Sequence, residues 1–325
     1  MQPVTEEERT EWLRRRKTSI GASDVGGLLG LSDPRWSTPV SVWHSKISDE
    51  VDASVSGPAA MGLDLEPYIL AELGKRLECE VYDASAEPVR HPTVPLAVNP
   101  DGMVKDPKTR QWCPCEVKFA TGDELSSWGH DPALGWNMLQ SWLSDGAPFP
   151  AQTVIGGYYC QIQAQILCTG APYGWLVGVI GARAGYMLRL GFDVPSNAWR
   201  QLRIEPDPEM HKAIETAVAA FWSNHVETRE PPPTLGAADL KALKAAYRQH
   251  QDGKAIEHPE GEPFAEALHE ARQAIKAHKA AGEDAEAYLR RMLGDAESAI
   301  CGRFKVSAKT TARGSRPLRI KELTG

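Results

Sequence analysis

The sequence lacks an apolar run of 18 residues, which is about the shortest stretch that reads as a membrane-spanning helix. Its N-terminal segment, MQPVTEEERTEWLRRRK, carries acidic residues where a signal peptide would have an apolar core. Cysteine is also scarce: six in 325 residues is far below the density of a disulfide-stabilised scaffold. We therefore expect a cytoplasmic protein with reduced cysteines and no membrane partner.

Ligands for a zinc ion or an iron–sulfur cluster are missing as well. Cys113 and Cys115 are separated by one residue, and no second CxxC or histidine pair follows to complete a four-ligand zinc site. The same spacing does not fit a cluster held by four distributed cysteines. Both residues are expected to be ordinary strand positions.

A general excess of positive charge is also absent, because the net charge is −7. Proteins that bind nucleic acid through bulk charge usually have a basic excess in the binding domain. Two local segments are nevertheless basic, namely RRRK at 14–17 and residues 301–325, which carry seven Lys/Arg against the single acid Glu322. They could face phosphate, but composition alone favours solvated surface charge.

Hydrophobic periodicity predicts helices, then short strands, then further helices and strands. Helices are expected over 5–17, from an N-cap at Ser23 to about Gly30, over 63–77 with Glu66 in its first turns, over 156–170 and over 207–230. Strands are expected over 80–84, 87–104, 111–120, 173–181 and 185–194.

The prolines at 231–233 are the clearest boundary signal in the chain. The predicted organisation is a first domain over 1–230, a proline-rich linker over 231–236 and a C-terminal module over 237–325. We expect helices in the module near 237–251, 261–280 and 284–299, packing through Phe264, Leu268, Ile275, Leu289 and Leu293. Two basic strands, RFKVSAKT and SRPLRIK, follow these helices and are candidates for contact with a DNA backbone.

The segment LAVNPDGMVKDPKTRQWCPCEVKF, residues 96–119, predicts a β-hairpin with acidic residues on adjacent strands. Glu116 and Lys118 share one face because they are two residues apart in a strand. Mg²⁺ usually takes one or two carboxylates with water and phosphate oxygens, and a nearby lysine can orient the attacking water. Alternatively, Asp101–Gly102 is a turn and Glu116 with Lys118 a solvent-exposed ion pair. The flanking apolar residues favour a core sheet, where unpaired charges are costly.

The hairpin resembles the PD-(D/E)xK nuclease signature, and four other segments resemble motifs of the YqaJ/lambda-exonuclease family of phage recombination nucleases. These segments, in the order found in the family, are RKTSIGASDVGGLLGLS, VWHSKI, MGLDLEPYI and YYCQIQAQI. The resemblance implies an α/β (α+β) fold. Its PD-(D/E)xK, restriction-endonuclease-like core would have a central mixed sheet flanked by helices, extended at the C-terminus by helices and basic strands.

The same resemblance implies the site residues. The catalytic set would be Glu66, Asp101, Glu116, Lys118 and Gln161. The metal ligands would be Asp101, Glu116, Glu66 and the Val117 carbonyl, holding two Mg²⁺ ions for which Mn²⁺ can substitute. Arg16 and Ser23 correspond to positions that hold the 5′-phosphate of the DNA.

Simpler roles are open for several of these residues when they are considered alone. Glu66 could be a first-turn acid stabilised by the helix dipole. Gln161 could be one of three polar residues, with Gln163 and Gln165, on a half-exposed helix. Ser23 could act only as a helix cap and Arg16 only as surface charge.

The implied function is a Mg²⁺-dependent exonuclease that digests linear duplex DNA from an end, 5′ to 3′, and generates single strands for phage-type homologous recombination in a bacterial host. A single-strand annealing protein is the implied partner, and homo-oligomer formation is left open. Two alternatives are a structure-specific or restriction-type endonuclease and an inactive nuclease-fold DNA-binding protein. The complete set Glu66, Asp101, Glu116 and Lys118 argues against an inactive site.

An insertion over 129–157 is longer than expected for the family. It contains Trp136 and Trp142 and follows directly after Trp128. It could line the DNA channel or pack on a neighbouring subunit.

Overall fold

The computed structural model describes residues 6–50, 57–84, 87–121 and 132–323. In these ranges, none of the helices combines the length and apolarity that crossing a membrane requires. The chain divides into two compact units, residues 1–249 and 250–325. This division lies after the sequence-based boundary at 231–236 because the helix Leu240–Ala246 packs against the helix Pro39–Ile47 of the first unit.

The elements of the first unit are named in chain order. Its helices are α1 (Glu6–Arg16), α2 (Ala22–Leu28), α3 (Pro39–Ile47), α4 (Gly57–Leu77), α5 (Pro132–Asp145), α6 (Val154–Thr169), α7 (Ala182–Arg189), α8 (Pro208–Phe221) and α9 (Leu240–Ala246). Its strands are β1 (Ile20–Gly21), β2 (Val81–Asp83), β3 (Val89–Arg90), β4 (Leu96–Val98), β5 (Gly102–Lys105), β6 (Trp112–Ala120), β7 (Gly174–Ile180) and β8 (Trp199–Ile204).

A five-stranded sheet in the order β2-β5-β6-β7-β8 forms the centre of this unit. Strand β6 pairs antiparallel with β5 and parallel with β7, so the sheet is mixed. A parallel pair needs a crossover connection, and α5 and α6 lie in the segment that joins β6 to β7. The predicted fold class, a mixed central sheet flanked by helices, is confirmed.

The two faces of the sheet carry different helices because side chains alternate along β6. Cys115 and Val117 face a cluster built from α4 and α7, which includes Leu65 and Leu188. Apolar side chains of α5 and α6, with Leu176 of β7 and Ile204 of β8, form another buried cluster. Glu116 points toward α6, where two glutamines contact it. The alternation therefore places a carboxylate between the sheet and a buried helix.

A second, three-stranded sheet in the order β1-β4-β3 joins the N-terminal helices to the hairpin. Ile20 pairs with Leu96 and Gly21 pairs with Ala97 in a parallel register. Strand β4 then leads directly into Asp101 and β5. The residues that precede α2 are thereby held close to the strand that enters the hairpin.

Several predicted elements differ in the structure. Helix α4 begins at Gly57, so Glu66 lies in its interior and not in its first turns. Residues 185–194 do not form the predicted strand, because the chain forms α7, whose Ala184 and Leu188 are buried at helical spacing. The edge strand beside β7 is β8, which was not predicted.

The insertion over 129–157 contributes a helix to the core of its own chain. Trp136 of α5 is 2% exposed and packs beside β7, and Trp142 contacts Phe149 and Tyr159 edge to face. Trp136 therefore belongs to the core, and Trp142 is half-buried beside it. Trp128 lies outside the described residues.

The second unit contains one long helix and a sheet. The helix α10 (Glu262–Leu293) replaces the two helices predicted near 261–280 and 284–299, since Gly282 is accommodated within it. The sheet has the order β11 (Leu318–Glu322), β10 (Phe304–Ala308), β9 (Ser298–Cys301). The predicted packing of helices through Phe264, Leu268 and Ile275 is wrong, because these side chains are exposed by 78%, 53% and 67%.

Close packing at the start of α6 generates a prediction about stability. A Cβ at Gly156 would lie 2.4 Å from the Pro150 carbonyl oxygen and 2.8 Å from that of Leu31, and both are backbone atoms. We expect Gly156→Ala to lower the free energy of unfolding by about 1–3 kcal/mol in a urea titration. The matched control is Gly62→Ala in α4, where a Cβ meets no atom within 4 Å. This control should gain about 0.5–1 kcal/mol, and equal effects of the two changes would contradict the packing.

Candidate active site

The hairpin presents its acidic residues where β6 extends beyond β5. Gly102, the first residue of β5, pairs with Cys115, so Glu116 to Ala120 have no strand partner on that side among the described residues. Asp101 occupies the open edge, and its Oδ2 accepts a hydrogen bond of 2.7 Å from the Val117 backbone N–H. The backbone N–H and carbonyl of one strand residue point to the same side. The Val117 carbonyl therefore points toward the edge that holds Asp101.

Glu116 is the most enclosed acid of the site and is only 1% exposed. Its Oε1 accepts hydrogen bonds from Lys118 Nζ and from Gln161 Nε2, the latter at 2.6 Å. Its Oε2 accepts a hydrogen bond of 2.5 Å from Gln165 Nε2. Burial of a carboxylate is tolerable here because both oxygens are bonded and one partner is a cation.

Lys118 is the ammonium at the centre of these acids. Its Nζ bonds Glu116 and lies 4.9 Å from the centroid of the Tyr158 ring. Burial acts to lower the pKa of Lys118, but the charges of Glu116 and Asp101 outweigh burial and raise it. Lys118 is thus held as a cation, and Tyr158 forms part of its surroundings as well as of the core.

Glu66 reaches the same electrostatic cluster from α4. Burial and the neighbouring Glu116 charge raise the pKa of Glu66 to about 7. Asp101 experiences the same effects, since burial and Glu116 raise its pKa well above the ordinary aspartate value. Three carboxyl groups therefore lie near one ammonium, and Glu66 and Asp101 keep their protons to a higher pH than free carboxyl groups do.

The helix α6 carries a glutamine that sequence analysis did not include in the site. Gln165 is one turn from Gln161, and both donate to Glu116. The prediction of a half-exposed helix is wrong, because Gln163 and Gln165 are both 0% exposed. Gln163 bonds Tyr159, the Glu205 carbonyl and the Asp207 N–H instead. The spacing of four residues between Gln161 and Gln165 was the signal that could have identified Gln165.

Arg16 and Ser23 lie together although Arg16 ends α1 and Ser23 lies in α2, beyond β1. Arg16 Nη2 donates to Ser23 Oγ at 3.0 Å, and its guanidinium lies 4.5 Å from the Trp12 ring centroid. The predicted N-cap role of Ser23 is wrong, since Gly21 is the N-cap of α2 and Asp24 Oδ2 accepts from the Gly21 N–H. The Ser23 side chain is exposed and belongs to the surface beside Arg16.

A concave pocket adjoins this arginine. Its lining includes Arg15, Arg16 and Arg90 together with Gly21 and Asn99. Asn99 is two residues before Asp101, so one backbone segment borders both the basic pocket and the acidic cluster. Arg15 and Arg90 were not predicted as site residues, because only the pairing of β3 with β4 brings Arg90 to the pocket.

Residues 11–172 match the family model of the YqaJ-like viral recombinase domain. This region of the chain belongs to that family. The resemblance inferred from the sequence motifs is thereby confirmed. An uncharacterized protein of Bacillus subtilis (strain 168), YqaJ, is 26% identical over 256 residues, covering 78% of this chain and 68% of that protein.

Solved structures with similarity to this chain include an alkaline exonuclease, LHK-Exo, from Laribacter hongkongensis. It is 20% identical with a TM-score of 0.45, covering 74% of this chain and 99% of that one. The LHK-Exo complex with dAMP has a TM-score of 0.44 at 20% identity, with the same two coverages. A phage-related exonuclease from Haemophilus somnus 129PT is 13% identical with a TM-score of 0.36, covering 54% of this chain and 75% of that one.

The YqaJ-like domain has side chains that fit a divalent metal ion, which the family resemblance implies. Asp101 and Glu116 are two carboxylates near the Val117 carbonyl, and Mg²⁺ commonly takes only one or two carboxylates from the protein. Within the described ranges, no three His, Cys, Asp or Glu side chains are grouped so as to hold a metal ion. The fit therefore rests on this pair and the carbonyl, and on the raised pKa values of Asp101 and Glu66, which a nearby cation would lower.

The raised pKa of Glu66 predicts a pH-dependent stability of the YqaJ-like domain in metal-free buffer. The pKa is about 7 in the folded state and near 4.5 in the unfolded chain, so the folded state binds more protons between these values. This contribution to stability is complete below pH 4.5 and is lost as the pH rises through 7. We expect Glu66→Gln to reduce the fall in unfolding free energy over this window, measured by urea titration with EDTA.

The control is Glu87→Gln, which changes an exposed glutamate. It should keep the pH dependence of the unmodified protein. A Glu66→Gln profile that runs parallel to that of the unmodified protein would contradict the coupling of Glu66 to the buried acids.

Proposed function

We propose that the protein is a Mg²⁺-dependent deoxyribonuclease of the phage recombination type that degrades linear duplex DNA from an end, 5′ to 3′. The observation that carries the proposal is the convergence of Asp101, Glu116, Lys118 and Gln161 at the open edge of β6. Membership of the YqaJ-like viral recombinase family supports the link to recombination.

Each residue has a role that follows from its contacts. Asp101, Glu116 and the Val117 carbonyl would hold Mg²⁺, or Mn²⁺ in its place, and Glu66 would add an acid from α4. When bound, the metal would supply Lewis-acid activation of water and of the phosphodiester. Lys118 would orient the attacking water and offset negative charge that develops on the phosphate. Gln161 and Gln165 hold Glu116 in one orientation by bonding one oxygen each.

The basic pocket supports a preference for DNA ends. A guanidinium and a hydroxyl separated by 3.0 Å, with Arg15 and Arg90 nearby, are suited to a terminal phosphate monoester. The pocket and the acidic cluster are joined by the segment from Ala97 to Asp101. A 5′-terminal phosphate in the pocket would therefore anchor the strand close to the bond that is cut. The single strand left by such digestion would be passed to a single-strand annealing protein, the partner that the family resemblance implies.

Digestion of two DNA forms tests this function. Linear 5′-phosphorylated duplex and closed circular duplex are incubated with Mg²⁺ or with EDTA. We expect Mg²⁺-dependent loss of the linear DNA only, and a fall of at least about a hundredfold in rate for Lys118→Ala because charge stabilisation at the phosphate is removed. Lys105→Ala is the matched control, since Lys105 lies on the paired strand and bonds Glu80 away from the site.

Three outcomes would change the assignment. Cutting of the circular DNA would indicate an endonuclease on the same core. Binding without cutting of either form would indicate an inactive nuclease-fold DNA-binding protein. Equal activity of Lys118→Ala and Lys105→Ala would place the chemistry elsewhere in the chain.

The pocket at Arg16 predicts a dependence on the chemistry of the DNA end. The unmodified protein should digest 5′-phosphorylated ends faster than 5′-hydroxyl ends, because a charge-assisted contact stabilises the phosphate. Arg16→Ala should reduce this preference about tenfold or more, given that hydrogen bonds to charged groups contribute about 1.5–3 kcal/mol. The measurement is the ratio of initial rates on the two ends.

Arg14→Ala is the matched control for this experiment. Arg14 lies on the same helix, is exposed and pairs with Glu11. It should leave the ratio unchanged. A preference that survives in Arg16→Ala would exclude the pocket as the phosphate site while leaving the assignment of the hairpin intact.

A further inference from the structure

We propose that one face of the C-terminal sheet β9–β11 is a second contact surface for duplex DNA and binds its phosphate backbone. This face consists of Ser298, Ile300, Lys305, Ser307, Arg319 and Lys321, and it is called the basic face below. The proposal rests on the proposed nuclease function in one respect, namely that the polyanion is DNA. The basic face itself is formed entirely by the second unit, residues 250–325.

The strand register assembles the basic face in two rows. Lys305 of β10 lies directly opposite Ile300 on one side and Lys321 on the other. Ser307 lies opposite Ser298 and Arg319 in the same way. Side chains directly opposite each other share a face of the sheet. Three cations and two hydroxyls, the groups that commonly contact phosphate oxygens, are thus presented together.

The opposite face of the same sheet is different in character. It carries Val306 and Ala308, both 2% exposed, and it also carries Glu322, the single acid of the three strands. The alternation of side chains therefore separates the charges by face. Glu322 and the buried apolar residues lie on one side, and Lys305, Arg319 and Lys321 lie on the other.

The three cations of the basic face differ from Arg303, Lys309 and Arg316 of the same segment. Arg303 pairs with Glu322, Lys309 pairs with Glu297, and Arg316 donates to backbone carbonyls of Gly294, Ala296 and Ala308. These residues stabilise the fold of the unit. In contrast, Lys305, Arg319 and Lys321 are exposed, and within residues 132–323 and the other described ranges none of them forms an ion pair.

The pairing of Lys305 with Lys321 is unfavourable for the isolated unit. Like charges directly opposite each other on a sheet are destabilising, so folding stability does not explain this pair. A polyanion that binds across the two lysines would remove the repulsion. Arg319 and Lys321 are two residues apart in a strand, a separation of about 6.8 Å, and a DNA strand carries one phosphate for about every 3.4 Å along its axis. Both side chains can therefore contact phosphates of one DNA strand.

Salt-dependent binding tests the proposal on the full-length chain. Every protein in the experiment carries Lys118→Ala, and the protein with this change alone is the parent. Each protein is titrated into an internally labelled duplex of 30 base pairs in buffer with EDTA. Fluorescence anisotropy gives the dissociation constant at several NaCl concentrations. The test protein carries Lys305→Gln, Arg319→Gln and Lys321→Gln. We expect its slope of log Kd against log salt to fall by about 3, because each phosphate contact contributes about one unit.

The matched control carries Arg272→Gln, Lys276→Gln and Lys279→Gln. These residues lie on exposed positions of α10, so the control has the same net charge as the test protein. Its slope should equal that of the parent. A further variant, Lys305→Arg with Lys321→Arg, keeps the charges and should retain the parent slope. The glutamine variants of the basic face should melt at the same temperature as the parent or higher, because the repulsion is removed.

The outcomes separate this proposal from the proposed nuclease function, since no cutting takes place in EDTA. An unchanged slope in the test protein would overturn the proposal, and so would an equal reduction in the control, which would indicate bulk charge. A structural role would be indicated if the test protein bound DNA more weakly and melted at a lower temperature, and if the Lys305→Arg, Lys321→Arg variant also bound more weakly than the parent. A slope reduced for duplex RNA but not for duplex DNA would overturn the choice of DNA as the partner.

Discussion

The carboxylate of Glu116 is enclosed between the sheet and α6, where an unpaired charge would cost several kcal/mol. Lys118, Gln161 and Gln165 donate hydrogen bonds to this carboxylate. The position of each donor constrains a different part of the fold. The lysine must lie two residues further along β6, and the glutamines must lie one turn apart on a helix packed on the same face. The crossover that makes β7 parallel to β6 delivers that helix.

The acids at the open edge of β6 illustrate the conflict between stability and chemistry at a site of this kind. Burial and mutual repulsion raise the pKa values of Glu66 and Asp101, so the charged forms are disfavoured in the folded state. One ammonium, Lys118, is not enough to keep all three carboxyl groups ionised. A bound divalent cation would favour their charged forms, which links the stability of the site to the ligand that the proposed chemistry needs.

Local patterns were sufficient for elements whose identity depends on short-range alternation. The hairpin strand β6, the helix α6 and the shared face of Glu116 and Lys118 were all predictable, because strand and helix periodicities are properties of a few consecutive residues. The same reasoning failed for residues 185–194, where an apolar segment of strand-like composition forms α7. It also failed for α10, since it predicted two helices where the chain forms one.

The order of the motifs and the spacing of their residues were enough to identify the family, the acidic hairpin and the candidate residues, because both are properties of the linear chain. Which of these residues meet depends on the folded structure. It brought Gln161 and Gln165 to Glu116, placed Ser23 beside Arg16 instead of at a helix cap, and carried Arg90 to the basic pocket. These contacts join residues distant in the chain, and their formation depends on strand register and helix packing, which local spacing does not encode.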